Sequence, residues 1–259
     1  MSGFPDHDLR FRFPFLAHAF LRMKSVLIPL FLLLAIILPL PAQEADEKER
    51  KSRGRLAWFV ATSIPDKLEN PVQVLTGKDL TPVTLSKRMA SGPVKIPADG
   101  LIRIVRPVPN PEDPSKTIYQ TLAQARIAET TSKALIILIP SSKPESGLLY
   151  LTKVRDLASF TGGDYLYMNL TKVNIAVQLG SQKIALKPGD TKIYDAPSLK
   201  KSVNTPVSYH YFHPGRKEWK MLSASTVVLR PTRREICVFS WDPRYERVNY
   251  HGITFPVTP

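Results

Sequence analysis

From Leu56 onward, apolar and polar residues alternate with a period of two, in bursts of five to eight residues broken by Pro, Gly, Asn and Asp. That rhythm places every second side chain on one face of an extended chain, so it predicts strands rather than helices. Val72 and Val74, Val83 and Leu85, and then Ile102 and Ile104 after the Ala98-Asp99-Gly100 turn each define one such face. Ile118–Ile127 also reads as a strand, because Tyr119, Thr121, Ala123, Ala125 and Ile127 share one parity. The run Ala134–Ile139 is apolar at every position, which predicts a central strand covered on both sides.

The rhythm is clearest between Asp164 and Tyr194. Leu166, Met168 and Leu170 share a face, then Val173, Ile175, Val177 and Leu179 alternate with polar or small neighbours as far as a two-residue turn at Gly180-Ser181. Ile184 and Leu186 continue the meander into Lys187-Pro188-Gly189-Asp190, whose Pro and Gly stand where a type II turn needs them, and Thr191–Tyr194 closes it. Val207–Phe212 meets a turn at His213–Arg216 and returns through Trp219 toward Leu229; Arg234–Trp241 and Arg247–Phe255, broken at Asp242-Pro243, are the last strands. No internal repeat is visible in the residues. The expectation is an all-β, antiparallel β-sandwich with extra C-terminal hairpins. The 24 prolines suit strands and turns, since each would cost a helix interior about 3 kcal/mol.

The segment before Leu56 has a different texture. Lys24 precedes Val26–Leu40, an apolar run holding Pro29 and Pro39, and Leu40-Pro41-Ala42 follows, which together read as an export signal cleaved after residue 42. Residues 1–42 are therefore the expected signal, with translation starting either at Met1 or at Met23. The run falls short of the ~20 residues that span a bilayer, so an anchor formed by residues 24–42 is the alternative reading. Residues 43–55 are a charged linker and residues 56–259 a single domain, in a periplasmic or extracellular setting. Cys237 is the only cysteine, so no disulfide framework is available.

The formal charge is +14, and +12 remains beyond residue 42. Such an excess favours anionic partners. Outside the cytoplasm these are membrane surfaces, if the signal stays uncleaved, and acidic polysaccharides, alongside an envelope protein as a scaffold partner; export argues against nucleic acid.

Reactive constellations are sparse. His210, His213, Cys237, Asp242 and His251 gather in the last fifty residues, but residues three apart on a strand face opposite ways, and no Met follows Cys237 as a copper site requires. No metal and no cofactor is expected. Cys237 shares parity with Phe239 and Trp241 and reads as a small core residue. Ser198-Leu199-Lys200-Lys201 has the S-x-x-K form without its S-D-N and K-T-G partners, and nucleophile-elbow, zinc, phosphate-loop and dinucleotide motifs do not occur. No catalytic residue is assigned, and the protein reads as a non-enzyme. Asn169-Leu170-Thr171 fits a glycosylation sequon but falls within a strand. The chemistry that does stand out is aromatic side chains interleaved with basic ones: Tyr209, Tyr211, Trp219, Trp241 and Tyr250, with Arg233 and Arg234, are the candidate ligand-binding residues. The same rings could equally fill a sandwich core.

Phe160–Tyr194, preceded by Lys133–Pro140, resembles uncharacterised exported bacterial proteins with an immunoglobulin-like β-sandwich. The resemblance covers about sixty residues and implies a fold without transferring any functional residue. The expected function is binding or scaffolding in the cell envelope, with a carbohydrate or acidic-polymer binding module as the alternative.

Overall fold

A computed structural model describes residues 54–142 and 147–257. The export signal, the alternative start at Met23 and most of the charged linker lie outside the described residues. Eight strands make up the first half: β1 (Leu56–Ala61), β2 (Val72–Thr76), β3 (Asp79–Val83), β4 (Val94–Lys95), β5 (Leu101–Pro109), β6 (Thr117–Arg126), β7 (Lys133–Pro140) and β8 (Tyr150–Asp156). Eight more follow: β9 (Tyr165–Asn169), β10 (Ile175–Leu179), β11 (Gln182–Leu186), β12 (Thr191–Tyr194), β13 (Val203–His213), β14 (Glu218–Leu229), β15 (Arg233–Asp242) and β16 (Arg247–Pro256). A short 3-10 turn at Leu157–Ser159, capped by the Asp156 carboxylate accepting from the Ala158 N–H, leads from one half to the other. The architecture is all-β and mainly antiparallel, as the period of two requires.

The strands form four sheets, and their orders repeat. The first half has β4-β1-β7-β8 and β3-β2-β5-β6; the second has β12-β9-β15-β16 and β11-β10-β13-β14, the same orders with eight added to every strand. The parallel pair recurs too, β1 with β7 and β9 with β15. So does the register: Val74 faces Ile104 in one half and Val177 faces Tyr209 in the other. Each half has a register shift on its longest hairpin, after Ile104 and after Tyr209, which leaves Leu122 and Leu222 as the extra residues of equivalent bulges. Gly77 and Gly180 open equivalent two-residue turns with φ of 65° and 57°, the positive value such a turn demands at its first central position. The topology is thus duplicated although the residues conceal it.

Three hydrophobic clusters hold the four sheets as layers. Ala57, Phe59, Ile104, Ile136 and Leu138 belong to the core between the first two sheets. Tyr167, Tyr209, Cys237, Phe239 and Val248 belong to the core between the last two. The third cluster is a seam where the backs of the two inner sheets meet: Trp58, Val60, Leu135 and Ile137 pack with Leu166, Met168, Ile236 and Val238. Within it Trp58 meets Phe255 edge-on, with ring centroids 5.9 Å apart. The all-apolar run in β7 has this cause, since Ala134, Ile136 and Leu138 serve the first core while Leu135 and Ile137 serve the seam. Each side chain withdrawn from water there contributes roughly 1.5–3 kcal/mol, enough for the seam to hold the halves face to face. Edges reach across it in both directions, through the Thr254 N–H to the Arg88 carbonyl at 2.9 Å and Lys153 Nζ to Thr191 Oγ at 2.8 Å.

Candidate functional site: a basic, aromatic end

A five-residue connection, residues 170–174, gathers two hairpins at one end of the second half. It is fixed by Asn169, fully buried at 0% exposure, whose amide donates to the carbonyls of Val173, Leu186 and Lys187. The Asn169 Oδ1 accepts from both the backbone N–H and the hydroxyl of Thr171. The connection then binds both hairpins: the Leu170 N–H donates to the Phe239 carbonyl on β15, and the Phe212 N–H on β13 donates to the Asn174 carbonyl, each at 2.9 Å. The loops after β13 and β15 therefore lie at the same end of the second half. Each has four residues and ends on a residue in the left-handed region, Lys217 at φ 54° and Glu246 at φ 46°. A buried Asn with its amide fully engaged is a structural pin, and the sequon it belongs to is inaccessible in the folded chain.

The two tips expose rings beside cations. Trp219 is 51% exposed and meets Phe212 edge-on, with centroids 5.7 Å apart. Trp241 is 38% exposed near the end of β15, and Tyr245 is 57% exposed in the turn beyond it. The Arg244 and Arg247 guanidinium groups stand 5.3 and 5.2 Å from the Tyr245 ring centroid. The Asp242 carboxylate fixes that turn by accepting from the Arg244 and Tyr245 N–H groups. Lys172, Arg216, Lys217 and Lys220 add positive charge around the same end. Arg216 and Glu218 approach to 3.8 Å, an exposed pair worth little in water.

The candidates read from the sequence divide between surface and interior. Trp219 and Trp241 stand on the exposed end. Tyr209 and Tyr211 do not; both are buried because their parity on β13 points them into the second core. Tyr209 packs there against Phe239 and Tyr250, with centroids 5.4 and 4.7 Å away. Tyr250 is half-buried, its hydroxyl donating to Ser223 Oγ. Arg234 is buried at the opposite end of β15, its guanidinium 4.9 Å from the Phe255 ring centroid and 5.8 Å from that of Phe160. Burial pushes its pKa down, and the nearby Asp164 carboxylate opposes that effect. Arg233 is exposed beside it, eight positions from Trp241 and so roughly 26 Å away at about 3.3 Å per residue. Tyr245 is part of the C-terminal aromatic stretch that the sequence marks, set between Arg244 and Arg247, and it belongs to the site together with Lys172, which no sequence signal points to.

The remaining motifs scatter. Cys237 is buried in the second core and its thiol is pushed up to about 12 by burial, so it is inert at neutral pH. Ser198 and Lys201 lie exposed in the loop before β13. Among the described residues, no three of His, Cys, Asp and Glu gather closely enough to hold a metal ion. No protein-family model and no curated protein matches this chain. What the basic end can do chemically is present flat π faces to a sugar ring or other planar group and offer guanidinium and ammonium groups to carboxylates or sulfates.

Proposed function

We propose that the chain is an exported, non-catalytic, immunoglobulin-like double sandwich that binds or scaffolds in the cell envelope, and that the basic, aromatic end of its second half takes an acidic polysaccharide. The single observation behind this reading is that Trp219, Trp241 and Tyr245, all exposed, and Arg216, Lys217, Arg244 and Arg247 stand on two hairpins that turn at the same end of the second half. Exposed indoles gain stacking area on a sugar ring, and the cations select polymers that carry carboxylates. Affinity electrophoresis tests it. In gels holding polygalacturonate, migration of the purified protein is expected to slow, whereas neutral dextran leaves it unchanged. The double variant Trp219→Ala, Trp241→Ala is expected to weaken retention by at least tenfold, and Tyr245→Ala by less. Equal migration of wild type and double variant would remove the end from the binding surface.

A further inference from the structure

β6 and β14 are equivalent edge strands with equivalent bulges, yet only β6 is covered. The Leu149 N–H donates to the Leu122 carbonyl at 2.8 Å, and the Thr152 hydroxyl donates to the Gln124 carbonyl at 2.7 Å, so the chain entering β8 and β8 itself close that edge. The matching acceptors on β14 are the carbonyls of Leu222 and Ala224. Among the described residues, no hydrogen bond from outside their own sheet reaches either one. The cause is the residue that replaces Thr152: Tyr250 fills the gap with a ring packed on Tyr209, and its hydroxyl goes to the Ser223 side chain instead of the backbone.

An open edge is ordinarily guarded by charge or proline. The other edges of this molecule follow that rule, with Pro82 on β3, Lys95 on β4, Lys183 on β11 and Lys192 on β12. In β14, Leu222–Leu229 reads Leu-Ser-Ala-Ser-Thr-Val-Val-Leu, with no charge, proline or glycine. Lys220 and Arg230 bracket it.

We propose that the free edge of β14 is a strand-addition site for an extended segment of a partner protein with an uncharged, β-branched centre and acidic flanks. The added strand extends β11-β10-β13-β14 by one, bonding the backbone of Leu222–Leu229, and its carboxylates meet Lys220 and Arg230. Charge decides against a second copy of this chain. Antiparallel self-pairing centred on Ser225 sets Lys220 opposite Arg230 at both ends, between two molecules that each carry +12 beyond residue 42. The edge shares Lys220 with the aromatic end, but its backbone donors and acceptors run from Leu222 to Leu229, away from the tips, and the proposal does not rest on the polysaccharide reading.

Fluorescence anisotropy with two labelled nine-residue probes tests it, both alternating valine and threonine, one flanked by aspartates and one by lysines. The purified protein is expected to bind the aspartate-flanked probe at least tenfold more tightly. Ala224→Pro, which removes an edge N–H without touching β13, should weaken that binding at least tenfold with an unchanged circular-dichroism spectrum. Lys220→Glu should narrow the preference between probes, an arm that decides the matter even if the proline variant misfolds. Equal binding of both probes, or none, overturns the proposal. So does a concentration-dependent dimer in sedimentation that Ala224→Pro abolishes, because the edge would then belong to a second copy.

Discussion

The first and second halves share strand order, parallel centre, bulge and turn, but they fill that frame with different matter. Where the first core holds Ala57, Phe59, Ile104 and Ile136, the second holds Tyr165, Tyr167, Tyr209 and Cys237 at the positions the paired registers make equivalent. The ends differ in the same way. The β5–β6 loop carries Glu112 and Asp113 where the β13–β14 loop carries Arg216 and Lys217. Tyr119 and Trp219 occupy matching exposed positions beside loops of opposite charge. The frame therefore depends on alternation, turn chemistry and bulge position, while core chemistry and surface charge vary independently on it.

Alkali should separate the halves most widely. Burial raises the pKa of Tyr165, Tyr167 and Tyr209, with nearby ionisable groups adding to it, and pushes the Cys237 thiol up to about 12. The first core holds one such group, Tyr150, also pushed up to about 12 by burial. The unfolded chain releases its thiol proton near pH 8.5 and its phenolic protons near pH 10. Stability contributed by the neutral buried groups is thus complete below about pH 8.5 and falls as pH rises toward the folded values, by roughly one kcal/mol per buried tyrosine for each unit above 10. The denaturation midpoint is expected to hold to about pH 8.5 and then drop. A midpoint flat to pH 11 would show that the second core is no more alkali-sensitive than the first.

Asn169 sharpens the comparison at a single residue, because its counterpart in the first half is Ala61, followed by a longer connection to β2. Asn169→Ala leaves the carbonyls of Leu186 and Lys187 without their side-chain donor and that of Val173 with the Thr171 hydroxyl alone, and is expected to cost about 3–5 kcal/mol. Urea denaturation gives the figure. A loss under about 1 kcal/mol would mean that the connection holds itself. The smallest effect belongs to Lys217, whose left-handed backbone strains any residue with a Cβ. Lys217→Gly is expected to raise stability by about 0.5–1 kcal/mol in the same measurement.

Much of this frame could be read from the residues. The period of two located the strands from Val72 to Phe255. The type II turn at Lys187–Asp190 is present, with Gly189 at φ 80° and the Asp190 N–H bonded to the Lys187 carbonyl. Ala134–Ile139 is apolar throughout because it faces a core and a seam. The duplication was illegible. Apart from Val74 and Val177, Gly77 and Gly180, and Leu122 and Leu222, the equivalent strand positions hold different residues. Sheet packing asks only for apolar character of about the right size, so identity fades while pattern persists. The site was half legible. Composition marked an aromatic, basic stretch, but strand parity sends Tyr209 and Tyr211 inward, and tertiary hydrogen bonds bring Trp219 and Trp241 to one end.

The parallel centre of each half also sets an order of events. Leu56 pairs with Lys133, 77 positions further on, and Tyr165 with Glu235, 70 further on. As the chain emerges from the ribosome, the strand that opens each half must wait for nearly the whole of that half to be made before it finds its neighbour. Closing such long loops slows folding relative to hairpin formation. A nascent chain of this design stays open late and then locks in two successive closures, one for each half.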